Sequence, residues 1–225
     1  MIFLLIILSM RKKLKAFLFD LDGTLADTAH DVAQALNQLL ISQNKKPLPF
    51  SAIRPVVSDG SEGLLKLGFG LSPLDADYAA LREKLLFSCR QDQTVLFKGI
   101  HLVLDLMKKN NHYLLGIVTN KIESLTQAVV KKLKLDDYMS CVVCGDTLPQ
   151  KKPDPAPLLY AASLLNTAPE ECGYIGDAKR DIVAARAAGM FSIAALYGYI
   201  SREEDPLTWH ADGVIRTPYD LRRFF

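Results

Sequence analysis

From Gly99 onward the chain alternates short apolar runs with longer amphipathic stretches, and this alternation constrains the fold more than any other feature. Helical spacing covers 100–110, 122–133, 154–166 and 179–188. Between these lie apolar runs at 113–119, 140–144, 173–176 and 191–196, and a short run at 213–215 precedes a helix near 218–224. Runs this short and apolar read as strands buried on both faces. Strands alternating with helices call for a parallel sheet with crossover helices. One more such run, Ala16 to Phe19, stands apart near the start. Between it and the alternating region, residues 27–94 show only helical patterns, at 27–44, 51–57, 61–67 and 75–90, with Asp27 or Thr28 as the expected cap of the first. The expected architecture is therefore α/β: a Rossmann-like parallel-sheet core built from 1–26 and 95–225, with a helical module of 27–94 inserted after the first strand. Hinges are expected at Ala26 and at 95–99, with the module above Asp20 and Asp22.

The first strand ends in Asp20-Leu21-Asp22-Gly23-Thr24. Burying an unpaired carboxylate is costly, so both aspartates belong where the strand leaves the sheet. Ligands of open α/β sheets bind at these C-terminal strand ends. Three later segments carry polar groups at equivalent places: Thr119-Asn120-Lys121 after a strand, Lys152 before a helix, and Gly176-Asp177 with Asp181 four residues on. Taken singly, each has an ordinary explanation as a turn, a cap or a solvated side chain. Together they would bring carboxylates, a hydroxyl, an amide and an ammonium to one point. That is a donor set for Mg²⁺ and a phosphate: hard oxygens for the ion, hydroxyl and N–H donors for phosphoryl oxygens, and a lysine for the remaining charge.

The rest of the composition excludes other classes. A net charge of +2 is too small for a nucleic-acid surface. The Lys131-Lys132-Leu133-Lys134 cluster reads as a solvated helix end. Cys141 and Cys144 have CxxC spacing, but within a strand they point to opposite faces, so with Cys89 and Cys172 they read as small core hydrophobes of a reducing compartment. Residues 1–8 are nearly all apolar and the basic residues follow rather than precede them, unlike a signal peptide. The run is also too short to span a bilayer. Met10 is the expected natural start, with residues 1–9 an extension; a peripheral membrane anchor is the alternative. The expectation is a cytoplasmic monomer or homodimer without nucleic-acid or membrane partners.

These motifs resemble those of the haloacid dehalogenase superfamily, specifically its phosphatases with a helical cap of the C1 type. Asp20-Leu21-Asp22-Gly23-Thr24 matches the first motif, Thr119 the second, Lys152 the third, and Asp177 with Asp181 the fourth. The resemblance runs through nearly the whole chain from Met10. Within the superfamily, the stretch from Leu148 to Leu158 and Tyr197-Gly198-Tyr199 are similar to phosphoglycolate phosphatases. The stretch from Val57 to Leu64 and the segment from Tyr197 to Asp212 are also similar to N-acetylmuramic acid 6-phosphate phosphatases. The resemblance implies a Mg²⁺-dependent phosphatase acting on a small phosphomonoester through an aspartyl-phosphate. Asp20 would be the nucleophile and Asp22 the general acid and base. Mg²⁺ would be held by Asp20, the main-chain carbonyl of Asp22, and Asp177. Lys152, Thr119 and Asn120 would bind the phosphate, and Asp181 and Thr24 would support them.

Rival readings are a phospho-receiver domain, a sugar phosphomutase and a metal-free carbon–halogen hydrolase. The inserted module has no place in the first, and Asp22 argues against the third. The sequence assigns Arg54, Ser58, Asp59 and Lys66 no position relative to the substrate. The Val57–Leu64 stretch is the expected substrate-facing turn, with a helix beginning at Ser61 and with Gly60 small to permit close approach.

Overall fold

The computed structural model describes residues 14–109, 113–201 and 203–225. The readings of residues 1–9 and Met10 lie outside these. Six parallel strands form the main sheet: β1 (Ala16–Phe19), β4 (Leu114–Val118), β5 (Cys141–Val143), β6 (Cys172–Gly176), β7 (Phe191–Ala195) and β8 (Gly213–Ile215). Their spatial order is β5-β4-β1-β6-β7-β8. The chain therefore fills one side of β1 with β4 and β5 and then crosses to the other side for β6. This reversal makes the C-terminal ends of β1, β4 and β6 a topological switch point.

Alternation within β1 divides the core in two. Phe17 and Phe19 face α5 (Ile100–Lys109) and α6 (Glu123–Lys132), packing with Val103, Leu104, Met107, Val129 and Val130. Ala16 and Leu18 face α7 (Ala156–Leu164) and α8 (Lys179–Ala187), packing with Leu158, Ala161, Ala162, Ala184 and Ala185. Phe17, Leu18 and Phe19 are all fully buried, and burial of this kind is worth about 2–3 kcal/mol per side chain.

The sequence between β1 and α5 forms four helices, α1 (Ala29–Ser42), α2 (Phe50–Ile53), α3 (Gly60–Phe69) and α4 (Tyr78–Ser88), with a 3₁₀ segment at Arg54–Asp59 between α2 and α3. Leu36, Leu40, Ile53, Leu64, Leu65, Leu81 and Leu85 form their common apolar cluster. The chain leaves and returns through an unexpected two-stranded antiparallel ribbon, β2 (Ala26–Asp27) against β3 (Val95–Leu96). Two residues per strand are too few to show a period in the sequence.

Of the two expected caps of α1, Asp27 accepts the Ala29 N–H with its side chain at 3.3 Å, and a distant residue joins it. Thr28 occupies the N-cap position without a side-chain capping bond. Its main-chain N–H and that of Ala29 donate to the Tyr199 hydroxyl, at 2.6 and 3.1 Å, and Asp27 accepts from that hydroxyl at 2.8 Å. A distant tyrosine thus closes the helix end.

The cysteines are all free. Cys141 packs toward Ala161 of α7 while Cys144 lies beside Thr126 of α6, on opposite faces. Burial pushes the Cys141 thiol up to about 11. No described helix is long and apolar enough to cross a membrane.

Candidate active site

Asp20 follows β1 and is almost wholly buried. Its Oδ1 accepts the Leu21 N–H at 2.8 Å and contacts the Lys152 Nζ at 2.9 Å, so Oδ2 is the oxygen free for other work. Lys152 arrives from the loop between β5 and α7. Its fully buried ammonium meets Asp20, Asp181 at 2.8 Å, the Val118 carbonyl at 2.9 Å and the Tyr174 hydroxyl at 2.8 Å. Asn120 clasps the Lys152 main chain from both sides: its amide donates to the Lys152 carbonyl at 2.9 Å and its oxygen accepts the Lys152 N–H at 3.0 Å. Both polar atoms of Asn120 therefore engage Lys152, and the residue also lines a cavity over the sheet edge.

Asp177 follows β6 directly, before α8 begins. Asp181 is in the first turn of α8, where its Oδ2 accepts the Ala178 N–H at 3.0 Å. The carboxylates of Asp20, Asp177 and Asp181 present oxygens within 4.8 Å of one another, and all three residues are buried. Among the described residues, only Lys152 is ion-paired with this triad, through Asp20 and Asp181. Asp177 is held by uncharged donors: the Thr24 hydroxyl at 3.3 Å, the Ser58 hydroxyl at 3.0 Å and the Tyr199 N–H at 2.8 Å. Burial, followed by repulsion from Asp20 and Asp181, pushes Asp177 from 3.8 to about 7. Burial also raises Asp20, against the pull of Lys152. Gly23 lies against the Asp177 carboxylate at φ 82°, where an added Cβ would sit 2.1 Å from Oδ2. Only glycine permits both that conformation and that approach.

The Asp22 carboxylate is turned away from the triad. It accepts from Lys121 at 3.1 Å and from the Thr28 hydroxyl at 2.6 Å. Thr119, after β4, is buried, and its hydroxyl accepts the Lys121 N–H at 3.2 Å. Lys121 and Tyr174 were not assigned roles from the sequence. The usable signals were the position of Lys121 beside Thr119-Asn120 and the burial of a tyrosine, whose hydroxyl must find a partner.

A cavity of about 380 Å³ lies over this edge of the sheet. Asp20, Asp22, Thr119, Lys121 and Lys152 line its sheet side, and Ser58, Asp59, Ser61, Tyr78 and Arg82 line its helical side. Arg54 and Lys66 are not among the lining residues; Arg54 stacks 5.0 Å over the Tyr199 ring. The 58–59 turn is tied to the sheet side by Arg180, which pairs with Asp59 at 3.2 Å and donates to the Ser58 carbonyl. No protein atom lies within 4 Å of where a Cβ on Gly60 would be, and Gly60 lines the cavity. Its φ of 66° lets the 3₁₀ segment break sharply into α3, which begins at Gly60 itself and not at Ser61.

With the geometry in view, the comparisons are decisive about the family. Residues 17–195 match the model of the haloacid dehalogenase-like hydrolases. The chain belongs to that family. It is 41% identical over 214 residues to a phosphoglycolate phosphatase of Xanthomonas campestris, covering 92% of this chain and 94% of that protein. It is 35% identical to an N-acetylmuramic acid 6-phosphate phosphatase of Pseudomonas putida, covering 94% and 96%. Among solved structures, a haloacid dehalogenase-like family hydrolase of Streptococcus pneumoniae shares the fold with a TM-score of 0.82 at 22% identity, covering 95% of this chain and 99% of that one. This haloacid dehalogenase-like hydrolase is thus similar along nearly its whole length to phosphatases of two named specificities.

Proposed function

We propose that this hydrolase is a Mg²⁺-dependent phosphatase that cleaves a small phosphomonoester through an aspartyl-phosphate, and that helices α1–α4 act as its cap. The observation that carries the reading is the buried triad Asp20, Asp177 and Asp181 meeting Lys152 at the switch point beneath the cavity. Three buried carboxylates facing one lysine leave uncompensated negative charge, and their hard oxygens suit a divalent cation. Asp20 and Asp177 would hold it, joined by the main-chain carbonyl of Asp22, which no described hydrogen bond occupies. Bound there, Mg²⁺ would supply positive charge that lets a carboxylate approach a phosphate dianion.

The chain's own residues then divide the work. The Asp20 carboxylate attacks phosphorus, and the ester P–O bond breaks as the aspartyl-phosphate forms. Asp22, steadied by Lys121 and Thr28, gives its proton to the leaving oxygen. It later takes a proton from the water that hydrolyses the intermediate and restores Asp20. Lys152 and the Thr119 hydroxyl bind phosphoryl oxygens. Asn120 positions Lys152 through its main chain. Asp181, already paired with Lys152 and capping Ala178, orients that lysine, and Thr24 orients Asp177. The phosphoglycolate phosphatase of Xanthomonas campestris, at 41% identity, supports that specificity. The size of the cavity favours the second named specificity, N-acetylmuramic acid 6-phosphate, because a two-carbon leaving group would fill only part of it.

The test is Asp20→Asn. The amide is nearly isosteric but a poor nucleophile. Hydrolysis of p-nitrophenyl phosphate with Mg²⁺ is expected to fall by at least about 10³-fold while the circular dichroism spectrum stays unchanged. Near-normal turnover in this variant removes Asp20 from its role.

A further inference from the structure

The cations around the cavity differ in what they face. Lys152 is paired with Asp20 and Asp181, Lys121 with Asp22, and Arg180 with Asp59. Lys151, next to Lys152 in the chain, lines the cavity without a described ion pair but is exposed, whereas Arg82 of α4 is half-buried, lines it from the helical side and also takes part in no described ion pair. Its one described hydrogen bond runs from Nε to the Ser61 hydroxyl, at 3.2 Å. The bond fixes the inner edge of the guanidinium and leaves its two terminal nitrogens without a described partner. Glu62 also lines the cavity but is exposed and forms no described ion pair with Arg82. The lining also contains apolar groups from the helical side, Leu64, Leu85 and Leu86 with the ring of Tyr78.

A phosphate held at Lys152 needs no cation on the helical side. An anion on the leaving group does. We infer that Arg82 is a specificity residue whose terminal N–H groups bind a carboxylate on the organic part of the substrate. The substrate class is a phosphomonoester whose acid group is separated from the phosphate by a body of about sugar size. A planar guanidinium suits a carboxylate because two parallel N–H donors match its two oxygens. This inference rests on the phosphatase reading above.

The experiment measures kcat/KM for N-acetylmuramate 6-phosphate, N-acetylglucosamine 6-phosphate, 2-phosphoglycolate and p-nitrophenyl phosphate, in the wild type and in Arg82→Met, Arg82→Lys and Ser61→Ala. The first two esters differ by the carboxylate-bearing side arm. The wild type is expected to prefer the carboxylate-bearing sugar phosphate by about tenfold or more. Arg82→Met should erase that ratio through KM, Arg82→Lys should retain part of it, and Ser61→Ala should retain most of it. A ratio near one in the wild type overturns the inference, as does an unchanged ratio in Arg82→Met. Ser61→Ala losing as much as Arg82→Met also overturns it, because the arginine would then act only by bracing α3. A larger loss on 2-phosphoglycolate than on the sugar ester overturns the size of the leaving group. Failure of the wild type to hydrolyse p-nitrophenyl phosphate with Mg²⁺ would instead count against the phosphatase reading itself.

Discussion

The two walls of the cavity are built differently. On the sheet wall, Lys152 is fully buried and meets four partners, and Asp20, Asp177 and Asp181 are 5% exposed or less. On the helical wall, the Asp59 side chain is 58% exposed and α4 buries only Leu81 and Leu85. Two polar links bind that wall to the sheet edge, Ser58 to Asp177 and Arg180 to the 58–59 turn. The sheet side holds its groups in low dielectric, where each charge interacts strongly and none can be lost cheaply. The helical side can adjust, which suits a surface that must admit a substrate and release a product. Substitutions on the two walls should therefore fail in different ways.

The largest effect is expected from Lys152→Met. It leaves the Asp20 and Asp181 carboxylates buried without their cation, at a cost of about 3–5 kcal/mol. Chemical denaturation should show this loss alongside loss of activity. A variant as stable as the wild type would mean that the sheet wall is more solvated than its burial indicates.

Next comes Asp177→Asn, where pH gives the sign. Asp177 titrates at about 7 when folded, against 3.8 as its ordinary value. Between pH 4 and 7 the unfolded chain releases this proton while the folded protein keeps it. Stability of the metal-free protein should therefore fall as pH rises through that window, with a limit of ~4 kcal/mol from this group above pH 7. In chelator, Asp177→Asn should melt higher than the wild type, by a margin that grows from pH 5 to pH 8. Added Mg²⁺ should reverse the order, because only the wild type gains from binding. Equal melting temperatures at pH 8 in chelator would remove the burial penalty assigned to Asp177.

The smallest effect belongs to the helical wall. Arg180→Ala removes a half-exposed pair and should cost under about 1 kcal/mol of stability. KM for a sugar phosphate should rise several-fold and kcat should change less, since the 58–59 turn loses an anchor while Asp20 keeps its contact with Lys152. A fall in kcat equal to that of Lys152→Met would dissolve the distinction between the walls. Gly60→Val is a poor probe of the same wall, because backbone strain at φ 66° would add to any loss of cavity space.

The sequence alone determined the strands of the sheet, the helical stretch inserted after the first, and the positions of Asp20, Asp22, Thr119, Lys152 and Asp177 at strand or loop ends. Apolar periodicity and the short offsets within each motif are local, so they can be read from neighbours along the chain. The strand boundaries were good to a residue, and the run at 213–215 matches β8 as it stands, while the helix expected from 75 begins at Tyr78 and the one expected over 51–57 turns 3₁₀ after Ile53. Only the tertiary structure decided which polar groups meet. Lys121 finds Asp22 across 99 residues, Ser58 finds Asp177 across 119, and the Tyr199 hydroxyl caps α1 from 171 residues away. It also decided that Asn120 clasps Lys152, that Gly60 breaks the chain at the cavity wall, and that Arg82 lines the cavity without a described ion pair. Such pairings depend on strand order and on how one helix lies against a distant loop. No local pattern records either, because the free energy that selects them comes from burying whole faces at once.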